Sequence, residues 1–342
     1  MPQLPRPARP GRPRRPGRPR RPGPPGRATG PGTRGSGPAR IVVLGDLLLD
    51  VVVTAQRAHE SGTDVPGRLA LAQGGSAANT ARWLSRLGAR SSLIAAVGRD
   101  GAGRALVDAI RSDGVVPHIS RVSGARTGRV AVLVVPGGER SFVTERGAAD
   151  LLEPGDLRPD WFSGADALHL PVYSLLEPPL GLAGARAIEL ARAAGASISV
   201  DLASIGPLMS GGRRAARTLI AGIAPDLLFA NASEADALLG GRGVEGLLEF
   251  SAIAVVKRGA KGATVLTRLG PDHGRFEVAT ERIDASDTTG AGDAFDAGFL
   301  VGWFAARAAG RSLTASLQRA ALAGHRAAAR QLAAARPELA LA

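Results

Sequence analysis

From Ile41 onward, short apolar runs alternate with longer stretches in which apolar residues recur every three or four positions. IVVLG (Ile41–Gly45) is β-branched, apolar and closed by glycine, the pattern of a buried strand. Comparable runs are SLIAAVG from Ser92, ALHL from Ala167, SISVD from Ser197, DLLFAN from Asp226 and AIAVVKRG from Ala252. Helical spacing fills the intervals: Ala77, Ala81, Leu84 and Leu87, then Leu180 to Ala194, then Arg213 to Ala221. Strands alternating with helices predict a doubly wound, mostly parallel α/β sheet with helices on both faces. Two stretches break the alternation. Arg129–Val135, a Pro-Gly-Gly turn and Ser141–Thr144 read as a hairpin, and Thr63–Gln73 reads as a further extended segment. Together they predict a small β-structure projecting from the main sheet, built from segments near 51–73 and 120–147.

The 342 residues are 44% hydrophobic, enough for a substantial core. No apolar run is long enough to span a bilayer, so no membrane partner is expected and the cytoplasm is favoured. There is no cysteine, so disulfides, thiolate metal sites and a cysteine nucleophile are excluded. The formal charge of +13 is unevenly spread: residues 1–40 hold 11 arginines and no acid, leaving 32 basic against 30 acidic residues in the remainder. Residues 1–38, rich in Pro, Arg and Gly, are expected to be a disordered tail ahead of one folded domain at 39–342. Such a tail attracts polyanions weakly by charge, or is an unselected extension from an upstream start. It has no apolar h-region and does not read as a secretory signal. The near-neutral body argues against a nucleic-acid partner.

The most informative segment is DTTGAGDAF, Asp287 to Phe295. Ala291, Ala294, Phe295, Gly298, Phe299 and Gly302 share one helical face beyond it. Gly290 and Gly292 let backbone approach a ligand, and a glycine turn at a helix N-terminus presents N–H groups and the positive dipole end to an anion such as phosphate. Asp293 in that turn can accept a proton from a substrate hydroxyl attacking a phosphoryl group, or it merely stabilises the helix start. A GxGxxG turn after the first strand is absent, as are a Walker A motif and the HRD and DFG motifs of protein kinases.

The nonapeptide resembles the C-terminal signature of the PfkB/ribokinase family of carbohydrate kinases. GGSAANTARWLSRLG (Gly74–Gly88) resembles its N-terminal signature, and VGRDGAGR (Val97–Arg104), NASEA (Asn231–Ala235) and VVKRGAKGA (Val255–Ala263) resemble family segments in the same order, over roughly 39–334. The resemblance implies a ribokinase-like fold with a β-lid over the acceptor and ATP-dependent phosphorylation of a hydroxymethyl group on a sugar or sugar-like molecule. It implies Asp293 as base, with Gly290, Ala291 and Gly292 as the anion hole. Asp50, Gly74, Gly75 and Asn79 would line the acceptor. Asn231, Lys257, Gly259 and Gly262 would face ATP, and Glu234 would hold Mg²⁺, in part through water. Asp287 and Thr289 are candidate ligands for a monovalent cation such as K⁺. Residue chemistry alone leaves Asn231 as a helix cap, Lys257 as a solvated strand end and the glycines as turn formers.

Three departures speak against ribose as acceptor. Leu48 stands where ribokinase has Asn, Ser76-Ala77 replace Lys-Gly, and ALHLPVYS lacks a Glu. Tyr173 and His169 are further pocket candidates, while Asp46 and Asp201 serve either a ligand or a strand end. A nucleoside acceptor is the second reading, disfavoured because only 4% of residues are aromatic. A non-catalytic sugar-binding regulator is the third, and intact Asp293 and Glu234 argue against it. A homodimer paired through the lid's sheet edge is the assembly the resemblance suggests.

Overall fold

The computed structural model describes residues 37–58, 61–134, 140–269, 274–283, 285 and 287–341. The arginine-rich segment up to residue 36 and the Pro-Gly-Gly turn lie outside the described residues. The chain opens with strands β1 (Arg40–Leu44), β2 (Leu48–Ala55) and β3 (Gly67–Gly74), then helix α1 (Ser76–Arg86). Next come β4 (Arg90–Gly98), α2 (Gly101–Ser112), β5 (Val116–Val122), β6 (Arg129–Val134) and β7 (Arg140–Glu145). The middle third holds β8 (Ala167–Pro171), α3 (Leu180–Ala193), β9 (Ser197–Asp201), α4 (Ile205–Met209) and α5 (Gly212–Ile223). The last third runs β10 (Leu227–Asn231), α6 (Ala232–Leu239), β11 (Ile253–Lys257), β12 (Ala263–Thr267), β13 (Gly274–Val278), α7 (Ala291–Ala308) and α8 (Leu313–Ala333).

Nine strands form one sheet in the order β13-β12-β11-β10-β9-β8-β1-β4-β5. All pairings from β11 to β5 are parallel, and β12 and β13 close the other edge antiparallel. The alternation of a pleated strand sorts the core into two layers. Ile41 and Val43 of β1, with Leu93, Ala95 and Val97 of β4, pack under α1, α2, α7 and α8. Val42 and Leu44, with Ile94 and Ala96, pack under α3, α5 and α6. Both faces are therefore covered, which is why these strands read as continuous apolar runs.

The second sheet has four strands in the order β3-β2-β6-β7. It uses both stretches that broke the helical alternation. Its strands are only half buried, over a small cluster of Leu48, Val130, Val132 and Ala149. β5 extends the main sheet through Val122, so the second contribution to the small sheet begins at Arg129 rather than near residue 120.

Candidate functional site

The C-terminal ends of β1, β8, β9, β10 and β11 open into a cleft of about 1240 Å³, walled on one side by the small sheet and on another by the start of α7. Crevices at strand C-termini are the usual ligand position in open parallel sheets. Of the fifteen residues to which the family resemblance gives a role, thirteen line it: Asp50, Gly75, Asn79, Asn231, Glu234, Lys257, Gly259, Gly262, Thr289, Gly290, Ala291, Gly292 and Asp293. Gly74 stands just behind, where a Cβ would fall 1.9 Å from Asp50 Oδ1, so only glycine leaves that carboxylate in place. Asp287 also stands outside the lining; it accepts from the Thr289 N–H at 2.8 Å and faces Arg336.

Two helix starts meet at Asp293. It lies in the first turn of α7, whose N-cap is Gly290 with φ of 76°. Gly75 begins α1 with φ of 97°, a conformation L-residues rarely adopt. From α1, the Ser76 hydroxyl donates to Asp293 Oδ1 at 2.7 Å and the Asn79 amide donates to Oδ2 at 2.9 Å. Burial pushes the Asp293 pKa up to about 6, with the Ser76 and Asn79 hydrogen bonds holding it back. A carboxylate so placed is ionised at neutral pH yet basic enough to take a proton. In the glycine turn, the Ala291 N–H turns back to the Thr288 carbonyl at 3.3 Å. Other N–H groups of a helix's first turn have no partner within the helix and suit an anion.

At the other end, Asn231 and Glu234 form a reciprocal capping box. Asn231 Oδ1 accepts the Glu234 N–H at 2.9 Å, and Glu234 Oε2 accepts the Asn231 N–H at 2.8 Å. Burial and the charge of Asp201 raise the Glu234 pKa to about 7. Lys257 is not a solvated strand end. Its Nζ contacts Asp201 Oδ1 at 3.1 Å and Asp296 at 3.0 and 3.1 Å, directly beneath Gly292. Burial would lower the Lys257 pKa, but Asp201 and Asp296 outweigh it and raise it. Gly259 and Gly262, at φ of 56° and 83°, form the turn from β11 to β12 on the cleft wall.

Several site residues carry no local sequence signal. Arg146 reaches Asp46 at 3.2 Å and lies 4.9 Å over the Tyr173 ring. Asp46 also accepts the Ala77 N–H at 3.0 Å, so it caps α1 as well as holding Arg146. Ser76, noted only as a departure from Lys-Gly, touches the central carboxylate. Asp296 is fully buried one turn beyond it. Tyr173 lines the cleft, whereas His169 is buried in the sheet, where burial drops its pKa to about 4 and Nδ1 sits 2.9 Å from Ser199 Oγ.

A polar crevice with a carboxylate at a glycine-rich helix start suits phosphoryl transfer. The family model for pfkB family carbohydrate kinases matches residues 38–338. The chain belongs to the pfkB family of carbohydrate kinases. It is similar to the probable fructokinase-3 of Arabidopsis thaliana, with 34% identity over 266 residues covering 75% of each chain. It is also similar to fructokinase-2 of Solanum habrochaites, 32% identical over 270 residues, 76% of this chain and 80% of that one. The solved adenosine kinase from Sinorhizobium meliloti superposes with a TM-score of 0.75 at 25% identity, over 89% of this chain and 97% of that one. The pfkB-family fold is ribokinase-like, and the protein is a carbohydrate kinase. Among the described residues, no helix is long and apolar enough to cross a membrane.

Proposed function

We propose that this kinase transfers the terminal phosphoryl group of ATP to a hydroxymethyl group of a free sugar, with Asp293 as the general base. The observation that carries the reading is the fixed Asp293 carboxylate, held by Ser76 and Asn79 at the start of α7 with a pKa near 6. As the acceptor oxygen bonds to the γ-phosphorus, its proton passes to Asp293. The bond from that phosphorus to the β–γ bridging oxygen breaks, and ADP leaves. Gly290 and Gly292 bring backbone N–H groups and the helix dipole to the transferring group, with Lys257 supplying positive charge below.

The donor set at the nucleotide end fits Mg²⁺. Glu234 is a buried carboxylate whose pKa is raised beside Asp201, so a divalent cation would relieve the repulsion. Among the described residues no cluster of three or more metal-ligating side chains exists, which suits an ion held mainly by substrate phosphates and water. When bound, Mg²⁺ would neutralise charge on the phosphates.

The fructokinase relatives favour a ketohexose as acceptor. The acceptor end agrees: Asp50, Asn79 and Arg146 offer hydroxyl partners, and the Tyr173 face is covered by the Arg146 guanidinium rather than open to a base. The likeness to an adenosine kinase supports a nucleoside as the second reading. ADP release from Mg·ATP, followed across ketohexoses, aldoses, sugar acids and nucleosides, tests both. Fructose is expected to stimulate turnover and Asp293→Asn to lower it roughly 10²–10⁴-fold. Turnover that survives Asp293→Asn would remove the base assignment. Stimulation by adenosine alone would move the acceptor to the nucleosides.

A further inference from the structure

The segment after α8 folds back across the molecule. The Leu339 N–H donates to the Leu71 carbonyl of β3 at 2.7 Å, and Glu338 pairs with Arg68 at 3.2 Å. Between these contacts and the end of the helix lies Arg336, with 13% of its side chain exposed. Its Nη1 is 2.6 Å from Asp50 Oδ2, and its Nε is 3.4 Å from Asp287 Oδ2. On α8, Gln331 Nε2 donates to the Thr289 carbonyl at 2.9 Å. The Trp83 indole N–H donates to Gln331 Oε1 at 2.9 Å, which fixes which end of the amide faces Thr289.

Asp287 and Thr289 were the sequence's candidates for a monovalent cation. Chemically they suit one, since a carboxylate and a carbonyl are hard oxygen ligands. In the structure both already face donors of the chain itself, a guanidinium and an amide. The surroundings oppose an added cation too. A cavity of about 210 Å³ beside Arg336 is also lined by Arg82, Arg86 and Arg330. Burial lowers the Arg82 pKa, and the charges of Arg86 and Arg336 act in the same direction against Asp113.

We infer that Arg336 is a built-in cation that takes the place of a monovalent ion, clamping the acceptor-side carboxylate Asp50 to the loop that leads into the anion hole. A guanidinium is charged at every working pH and is presented in a fixed planar fork. It holds together two carboxylates that would otherwise repel: burial raises the Asp50 pKa, Asp46 and Asp287 add to the rise, and Arg336 opposes it. The consequence is a kinase indifferent to the identity of the monovalent cation. The inference rests on the proposed reading of the site for the role of Asp50, but its first test does not need turnover.

Melting temperatures of the wild type and of Arg336→Ala are compared in potassium chloride and in tetramethylammonium chloride at equal ionic strength. The wild type is expected to melt identically in both salts. The variant is expected to melt lower in the bulky cation and to recover part of the loss in K⁺, because Asp50 and Asp287 lose the cation they share. Arg336→Gln removes the charge at similar shape and serves if the alanine variant does not fold; Arg336→Lys should restore salt indifference. In turnover, the charge-removing variant should lose on the order of tenfold in kcat/KM for the acceptor and regain rate with K⁺ or methylguanidinium. The same response of wild type and variant to the change of cation, or a wild type stabilised by K⁺, overturns the inference. A wild type that turns over no acceptor while the two proteins still differ in salt response would count against the kinase reading alone.

Discussion

At Asp293 two opposing effects act on one carboxyl group, and their balance sets a measurable pH. Burial disfavours the charged form; hydrogen bonds from Ser76 and Asn79 favour it, leaving the pKa at about 6. In the proposed role as base, Asp293 must be ionised to accept a proton, so kcat/KM should fall as pH drops through about 6. Ser76→Ala removes a donor to the ionised form. Protonation then becomes easier, and the acid limb should move upward by about one pH unit, the scale of a hydrogen bond to a charged group. Pre-steady-state and steady-state rates of both proteins across the acid range would check this; an unmoved limb would mean that Ser76 only packs. The glycine turn and Asp293 were legible because they sit in one nonapeptide. Ser76 was visible only as a departure from a resembled motif, since its partner lies 217 residues away. Arg146–Asp46 and Arg336–Asp50, separated by 100 and 286 residues, were not legible at all. Local periodicity reports which face a residue occupies, not which distant charge will meet it.

The elements were more readable than their edges. Each apolar run named from the sequence became a buried strand, because burial on both faces leaves no polar alternation to blur it. β5 and β13 were missed for the opposite reason: they lie at the sheet's two edges, and VPHISRV and GRFEV are only partly buried. The helix that carries Asp293 depends on close packing that glycine supplies. A Cβ on Gly298 of α7 would stand 2.6 Å from the Ala323 carbonyl and 2.8 Å from Ala327 Cβ, both on α8. The Cβ of a residue at Gly324 would meet the Phe295 ring at 2.9 Å. Gly298→Val should force α7 and α8 apart and destabilise the protein by about 1–3 kcal/mol. Because Asp293 rides on α7 while Ser76 and Asn79 ride on α1, the same change should lower kcat even below the melting transition. Thermal unfolding and kcat measured on one preparation would test the link. A variant that loses stability but keeps its full kcat would show that the site tolerates movement of α7.

For the molecule as a whole, the excess charge and the described cleft residues fall in different parts of the sequence. All the described residues of the cleft lie between Asp46 and Leu332, where basic and acidic residues nearly balance, while residues 1–40 carry 11 arginines without a single acid. Polyanion attraction grows with the number of phosphates neutralised and falls steeply with salt. The full chain should therefore bind a sulfated or phosphate-bearing column at low ionic strength and elute as salt rises. A chain lacking residues 1–38 should pass through. Turnover should be the same for both, because every residue proposed to act in phosphoryl transfer lies beyond Ala39 in the sequence and the added field is screened within about 8 Å at physiological salt. A fall in kcat on truncation would assign the arginine segment a part in catalysis that the site's geometry does not require. Retention unchanged by truncation would instead place the polyanion affinity on the folded body, with the arginines around Arg82 and Arg330 as the first surface to substitute.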